Sequence, residues 1–246
     1  MGLSAAQAFT RNGANIVVVG VDEETCVNAR EVLPRDAVII KSDATNEDTA
    51  RNAIESCIKN FGGFDGLYHV AGGSGRRMGD GPLHEMTLKG WNETFELNLT
   101  SLMLSNRAAV RAFRDQDTGG TILNMGSVLG ISPSPEYFVT HAYAAAKASI
   151  IGYTRSIASY YARDNIRVNV IAPGLVETPM AERAAQDPKI MKFIKTKQPL
   201  QGGRIAQPED LDGAACYFMS DQSRFTTGQV LAVDGGWSIS EGQFMG

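Results

Sequence analysis

Tyr143 and Lys147 stand four residues apart in the run Tyr143-Ala-Ala-Ala-Lys147. On a helix both side chains would lie on one face and could meet at the same point. That pairing has a specific chemical use. A free tyrosine keeps its proton up to a pH of about 10, and an ammonium about 4 Å away at an effective dielectric near 20 favours the phenolate by up to ~4 kcal/mol, enough to make the phenol an acid or base near neutrality. Ser127 follows an apolar run and offers a hydroxyl that can donate to a carbonyl oxygen as charge develops there. Singly, each residue has a plainer reading: a turn serine, a surface aromatic, a solvated charge. Jointly they point to proton transfer at an oxygen whose negative charge is stabilised.

Positioning such a set needs a rigid frame, and the apolar pattern supplies one. Short β-branched runs at residues 16–19, 37–40, 66–70, 121–125, 167–171 and 230–233 read as strands buried on both faces. Between them, apolar residues recur at helical spacing, as in Ala50, Ala53, Ile54, Cys57, Ile58 and Phe61, and again over 142–161. Alternating strand and helix predict an α/β protein, a doubly wound, Rossmann-like parallel sheet with helices on both faces. No linker, repeat or composition shift divides residues 1–246, so one domain is expected. Ligands of such sheets bind at the carboxyl ends of the strands. Small or polar residues follow five of them: Gly20 to Asp22, Ser42 and Asp43, Ala71 to Gly73, Gly126 and Ser127, and Pro173 and Gly174.

Composition narrows the functional classes. Of 246 residues 43% are hydrophobic and 20% charged, enough apolar material for one sizeable core. Lys and Arg number 23 against 27 Asp and Glu, a formal charge of −4, which gives nucleic acid no electrostatic footprint. No apolar run reaches the roughly 18 residues of a membrane span, and no signal peptide is recognisable. The start Met1-Gly2 lacks the Ser or Thr that myristoylation wants at the sixth position, where Ala6 stands. Cys26, Cys57 and Cys216 are scattered and odd in number, as are His69, His84 and His141, so neither a disulfide framework nor a metal site is expected. A soluble cytoplasmic protein with no membrane or nucleic-acid partner is the expectation.

With Ser127, Tyr143-Ala-Ala-Ala-Lys147 and Asn169-Val-Ile-Ala-Pro-Gly174, the chain resembles the single-domain branch of the short-chain dehydrogenase/reductase family, whose members use NAD(H) or NADP(H). The likeness runs from Gly2 to Trp237. It takes in Asp43-Ala-Thr45, Asn98-Leu-Thr100, Leu175-Val-Glu-Thr-Pro179, Pro208-Glu-Asp210 and Thr227-Gly-Gln-Val-Leu-Ala-Val-Asp-Gly-Gly236. No one piece is specific, but their order and spacing are. The resemblance implies Asn98, Ser127, Tyr143 and Lys147 as the catalytic set. Asn98 would hold the helix backbone open for a water that links Lys147 to solvent, and Lys147 would also touch the nicotinamide ribose. It further implies cofactor contacts at Gly2, Asp22, Asp43, Ala44, Ala71, Gly72, Pro173, Gly174, Val176 and Thr178. The plainer readings are a helix cap for Asn98 and Thr178 and a strand-end acid for Asp43. His141 is read as a loop histidine without a catalytic role, and Arg76 and Arg77 as solvated loop charges.

Several positions depart from the family pattern. His69-Val70-Ala71-Gly72 stands where Asn-Asn-Ala-Gly is usual, so a side-chain bond between neighbouring strands must be replaced or lost. Ser127 and Tyr143 are 16 positions apart, a longer interval than usual, with Pro133, Pro135 and Glu136 inside it. No basic residue lies in the turn Gly20-Val21-Asp22, which favours NAD over NADP. The first helix begins at Gly2, in the place of the last glycine of the family's cofactor turn. The expectation is therefore that the natural chain starts upstream, that Met1 is internal, and that a central first strand is missing here.

The sequence thus reads as an NAD(P)-dependent enzyme interconverting a secondary alcohol and a ketone, or a 3-oxoacyl type carbonyl. Alternatives are an enoyl-thioester reductase, disfavoured by the short Tyr143–Lys147 spacing, and a nucleotide-sensing protein of the same fold without turnover. The substrate would be a small molecule. Its pocket would draw on residues 73–86, 131–140 and 180–200, the last an apolar lid carrying Met180, Ile190, Met191, Phe193 and Ile194. The resemblance implies a homotetramer formed through the helices of 98–114 and 142–163 and the C-terminal segment.

Overall fold

The computed structural model describes residues 1–242. Six parallel strands carry the frame: β1 (Val17–Gly20), β2 (Val38–Lys41), β3 (Gly66–His69), β4 (Gly120–Met125), β5 (Ile166–Pro173) and β6 (Val230–Val233). Each lies within two residues of the run read from the sequence. Among the described residues nine helices alternate with them: α1 (Gly2–Arg11), α2 (Glu23–Val32), α3 (Glu47–Phe61), α4 (Leu88–Phe95), α5 (Ser101–Gln116), α6 (His141–Tyr161), α7 (Glu182–Ala185), α8 (Pro188–Lys197) and α9 (Asp212–Met219). Several start on a side-chain cap written in the sequence: Asp22 on the Thr25 amide for α2, Asn46 on that of Asp48 for α3, and Thr87 on that of Gly90 for α4.

Strand β4 sits between β3 and β5 and is buried from Thr121 onward. Its side chains alternate between two cores, as the period of a strand requires. Ile122 packs with Val168, Val110, Phe113 and Ile54 under α3, α5 and α6. Leu123 and Met125 face the other way, with Ala5 of α1 and Ala215 and Phe218 of α9. Each fully buried side chain of this size contributes about 1.5 to 3 kcal/mol. Close packing also explains Gly120, where a Cβ would lie 2.3 Å from the Phe113 ring.

The sheet is in two pieces. Strands β3-β4-β5-β6 form one, β1 and β2 the other, and β1 does not pair with β3. Helix α1 spans the division, with Leu3 and Ala6 against β1 and β2 and Ala5 and Phe9 against the β3–β4 side. A continuous sheet needs a hydrogen-bonded strand between β1 and β3, and helix packing supplies the connection instead.

Candidate active site

All the strand ends point one way, so the loops after β3, β4 and β5 gather at one edge. The helix made of α4 and α5 widens there into a π turn at Glu96–Thr100. Asn98 in this turn is fully buried. Its Nδ2 donates to the carbonyls of Thr94 and Gly73, each at 2.9 Å, and its Oδ1 accepts from the Gly73 amide at 3.1 Å. A π turn frees backbone groups that an α-helix would engage, and Asn98 uses its side chain to pin the loop after β3 against that opening. Gly72 must be glycine here: a Cβ would stand 2.7 Å from Asn98 Oδ1 and 3.4 Å from Lys147 Nζ.

Lys147 is buried and donates from Nζ to the Met125 carbonyl at 2.9 Å. Burial lowers its pKa from 10.5 to about 8. Its ammonium lies 5.6 Å from the centre of the Tyr143 ring. Ser127 is buried at the end of β4, where its Oγ accepts the Leu129 amide at 3.2 Å. The Tyr143 phenol departs from expectation. Its pKa is raised, because desolvation outweighs the opposing Ser127 hydroxyl, and the ammonium of Lys147 does not bring it down. The one-face argument places the two side chains together but does not fix where the ammonium points, and it turns to the Met125 carbonyl.

What starts α6 is a residue the sequence reading passed over. Thr140, at the cap position, makes no side-chain bond to the helix. Buried Asp80, from the glycine-rich stretch after β3, accepts the Ala142 amide on Oδ1 at 2.9 Å and the Tyr143 amide on Oδ2 at 3.0 Å. A carboxylate at a helix N-terminus also suits the helix dipole. The capping signal is invisible locally because cap and helix lie 62 residues apart.

His69 ends β3 and turns toward α5. Its Nδ1 meets Ser105 Oγ at 2.7 Å, and its Nε2 lies 3.4 Å from Ser101 Oγ. The bond expected between strands is thus replaced by bonds to a helix. Burial first, and the charge of Lys147 second, lower the His69 pKa to about 3, so the ring is neutral.

The residues assigned to the cofactor spread along the same edge. Asp22 and Asp43 follow β1 and β2, with Ala44 next. Asp22 caps α2, and Asp43 Oδ1 accepts both the amide and the hydroxyl of Thr45 at 2.8 Å. Each carboxylate keeps one oxygen unengaged among the described residues. Lys41 qualifies the charge reading of this corner. It ends β2 opposite Gly20, pairs with Glu23 at 3.4 Å, and its charge reaches Asp22. A basic residue is therefore near after all, brought in by strand register, though Glu23 holds it. Ala71 and Gly72 follow β3, Pro173 and Gly174 close β5, and Thr178 lies just beyond, its hydroxyl donating to the Val176 carbonyl at 3.4 Å. The Val176 side chain is buried in the core with Leu123 and Phe218 and is not available to a cofactor. Gly2 opens α1, packed near Val70. Small residues along the edge and free carboxylate oxygens at its far end fit an extended dinucleotide with ribose hydroxyls.

Two further features emerge only in three dimensions. Gln198, fully buried, brackets Leu175: its Oε1 accepts the Leu175 amide at 2.9 Å and its Nε2 donates to the Leu175 carbonyl at 3.2 Å. This ties the end of α8 to the loop after β5. Arg76, read as a solvated charge, is partly buried and donates to the Tyr137 carbonyl at 3.3 Å.

The chain is similar to known proteins over nearly its whole length. The family described as "Enoyl-(Acyl carrier protein) reductase" matches residues 1–238. The chain is 32% identical to cis-4-hydroxycyclohexanecarboxylate dehydrogenase of Sinomonas cyclohexanicum, over 97% of this chain and 92% of that protein. It is 31% identical to 3beta-hydroxysteroid dehydrogenase 2 of Eggerthella lenta, over 97% and 90%. The crystal structure of a short-chain type dehydrogenase/reductase from Mycobacterium marinum superimposes with a TM-score of 0.86 at 28% identity, covering 97% of this chain and 91% of that one.

Proposed function

This chain belongs to the short-chain dehydrogenase/reductase family, and we propose that it interconverts a secondary ring alcohol and the corresponding ketone with a nicotinamide cofactor, NAD in preference to NADP. The observation that carries the reading is the buried ammonium of Lys147 beside the Tyr143 ring, with Ser127 next to the phenol. The ring alcohol follows from the two relatives, whose names each specify a hydroxyl on a carbocycle. NAD follows from the acidic corner of Asp22 and Glu23, where the nearby cations Lys41 and Arg30 both pair with Glu23.

The bound cofactor supplies or accepts the hydride. The chain's own residues handle the oxygen. In reduction Tyr143 gives its proton to the carbonyl oxygen, Ser127 donates a hydrogen bond as charge builds there, and Lys147 stabilises the tyrosinate left behind. The raised pKa of Tyr143 keeps that proton in place until the substrate arrives. Asn98 holds the π turn and the Gly72–Gly73 loop, and with them the space beside Lys147. The segment 180–200 serves as the lid, anchored at Gln198. The family description favours enoyl reduction as a second reading, which the four-residue spacing of Tyr143 and Lys147 argues against. A groove of about 650 Å³ along α5 and α6, lined by Met103, Arg107, Val110, Tyr153 and Ile157 among others, supports assembly into a homotetramer through these helices. The free thiols of Cys26, Cys57 and Cys216 suit the reducing cytoplasm.

The test is Tyr143→Phe, followed by absorbance near 340 nm (about that of reduced nicotinamide) with a panel of cyclic alcohols and ketones. Turnover should fall by on the order of 10² or more with cofactor affinity little changed. Near-normal turnover in the variant would overturn the mechanism. Cofactor binding by the wild type without turnover of any alcohol or ketone would mark a nucleotide sensor instead.

A further inference from the structure

Loops from the carboxyl ends of three neighbouring strands meet at one atom. Arg76 lies in the turn after β3, Tyr137 in the loop between Ser127 and Tyr143, and Arg183 in α7 beyond β5. The Tyr137 carbonyl oxygen accepts from Arg76 Nη2 at 3.3 Å and from Arg183 Nη2 at 3.1 Å. Each guanidinium has five N–H groups, and among the described residues neither donates elsewhere or forms an ion pair. Two full cations thus share one neutral acceptor.

The surrounding charges do not resolve this. Asp80 is the carboxylate whose field reaches Arg76, and both its oxygens are taken by α6 amides. Glu136 and Asp187 lie near the Tyr137 phenol, and Glu182 accepts from Gln186. Burial, and after it the field of Arg183, disfavours the charge on Arg76. Arg183 is exposed, so solvent screens part of this repulsion, and an anion between the two guanidiniums would relieve the rest.

We propose that Arg76 and Arg183 form a clamp for a carboxylate carried by the substrate at a distance from the reacting carbon, so that the alcohol is a hydroxy acid. This rests on the oxidoreductase reading above. The clamp adjoins the reacting groups: Asp80, two residues past the Arg76–Met78 turn, holds the Tyr143 amide. A Cβ on Gly73 would come within 4.0 Å of Met180 Cε, so the segment that carries Arg183 closes on the loop that leads to Arg76. Aromatic rings flank the cations and suit a hydrocarbon body between acid and alcohol. Arg183 lies 6.0 Å from the Phe138 ring centre, and Tyr137 stacks obliquely on Phe193 at 5.0 Å. Planar guanidinium forks match a carboxylate with paired hydrogen bonds. With Asp80, Glu136 and Asp187 close by, a singly charged group meets less repulsion than a phosphate dianion.

Two measurements on the full chain test this. In the first, kcat/KM is compared for 4-hydroxycyclohexanecarboxylate and its methyl ester. The wild type should prefer the acid by 10² or more, and Arg76→Leu or Arg183→Leu should each shrink that preference by about ten- to a hundredfold, chiefly through KM. Equal use of acid and ester by the wild type, or a preference untouched by both substitutions, overturns the clamp. In the second, calorimetry follows binding of cyclohexanecarboxylate, which has no hydroxyl and needs no turnover. Binding lost in both variants supports the clamp even if no alcohol is oxidised, in which case only the oxidoreductase reading fails. No binding to the wild type, or equal binding by the variants, overturns the clamp whatever the activity.

Discussion

Lys147 shows how one buried side chain ties chemistry to pH. Its ammonium has a single hydrogen-bond partner among the described residues, the Met125 carbonyl, and no counter-ion, so burial alone lowers its pKa to about 8. Ketone reduction uses a charged Lys147 to stabilise the tyrosinate, so kcat/KM in that direction should fall as pH rises through about 8, approaching tenfold per pH unit. Unfolding would not be the cause. The folded value lies below the ordinary 10.5, so between pH 8 and 10.5 the unfolded chain binds more protons at this group, and its contribution to stability rises across that window. Initial rates from pH 6 to 10, with melting temperatures at each pH, check the point. A profile flat to pH 9.5 would show that the proton on Lys147 is not used.

At the scale of elements, the site depends on α6 starting at the right place. That start is set by Asp80, because Thr140 offers no side-chain cap. Removing an N-cap costs about 1 kcal/mol, up to roughly 2. In a domain of this length that shifts the melting temperature by about 2 to 8 °C. Asp80→Ala should show such a drop, together with a lower kcat, since the first turn of α6 carries Tyr143. Thermal melts paired with steady-state rates measure both, and a variant unchanged in both would show that α6 needs no cap from this loop. The π turn at Glu96–Thr100 plays the matching part on the other side, with Asn98 joining it to Gly73.

For the whole molecule, the groove along α5 and α6 is the surface to test. A single chain of 26.4 kDa leaves Met103, Tyr153 and Ile157 only partly covered there, with Arg107, Arg111 and Arg114 around them. Apolar centres with arginine at the margin are the usual make-up of subunit contacts. Light scattering should therefore give a mass near four times that of one chain, and Ile157→Glu should lower it. A monomer at micromolar concentration would remove α5 and α6 from the assembly. The divided sheet belongs to this scale as well: β1 and β2 contain no buried residue, whereas β4 and β5 are almost wholly buried.

Sequence alone determined the strand and helix alternation and put Tyr143 and Lys147 on one helix face, because hydrophobic period and four-residue spacing are local quantities that survive without knowing what packs where. It also flagged His69 as a departure, though not its partners on α5. Tertiary structure decided what depends on distant chain segments meeting. Strand register set Lys41 beside Asp22, and loop convergence set Asp80 on α6 and Arg76 beside Arg183. It also decided the protonation chemistry. The expectation of a tyrosine acidified by its lysine assumed a distance and a dielectric, while in the folded site desolvation raises the phenol and the ammonium turns to a carbonyl. Spacing along a helix fixes which residues share a face, but desolvation depends on every atom that covers them, and those atoms come from segments far apart in the chain.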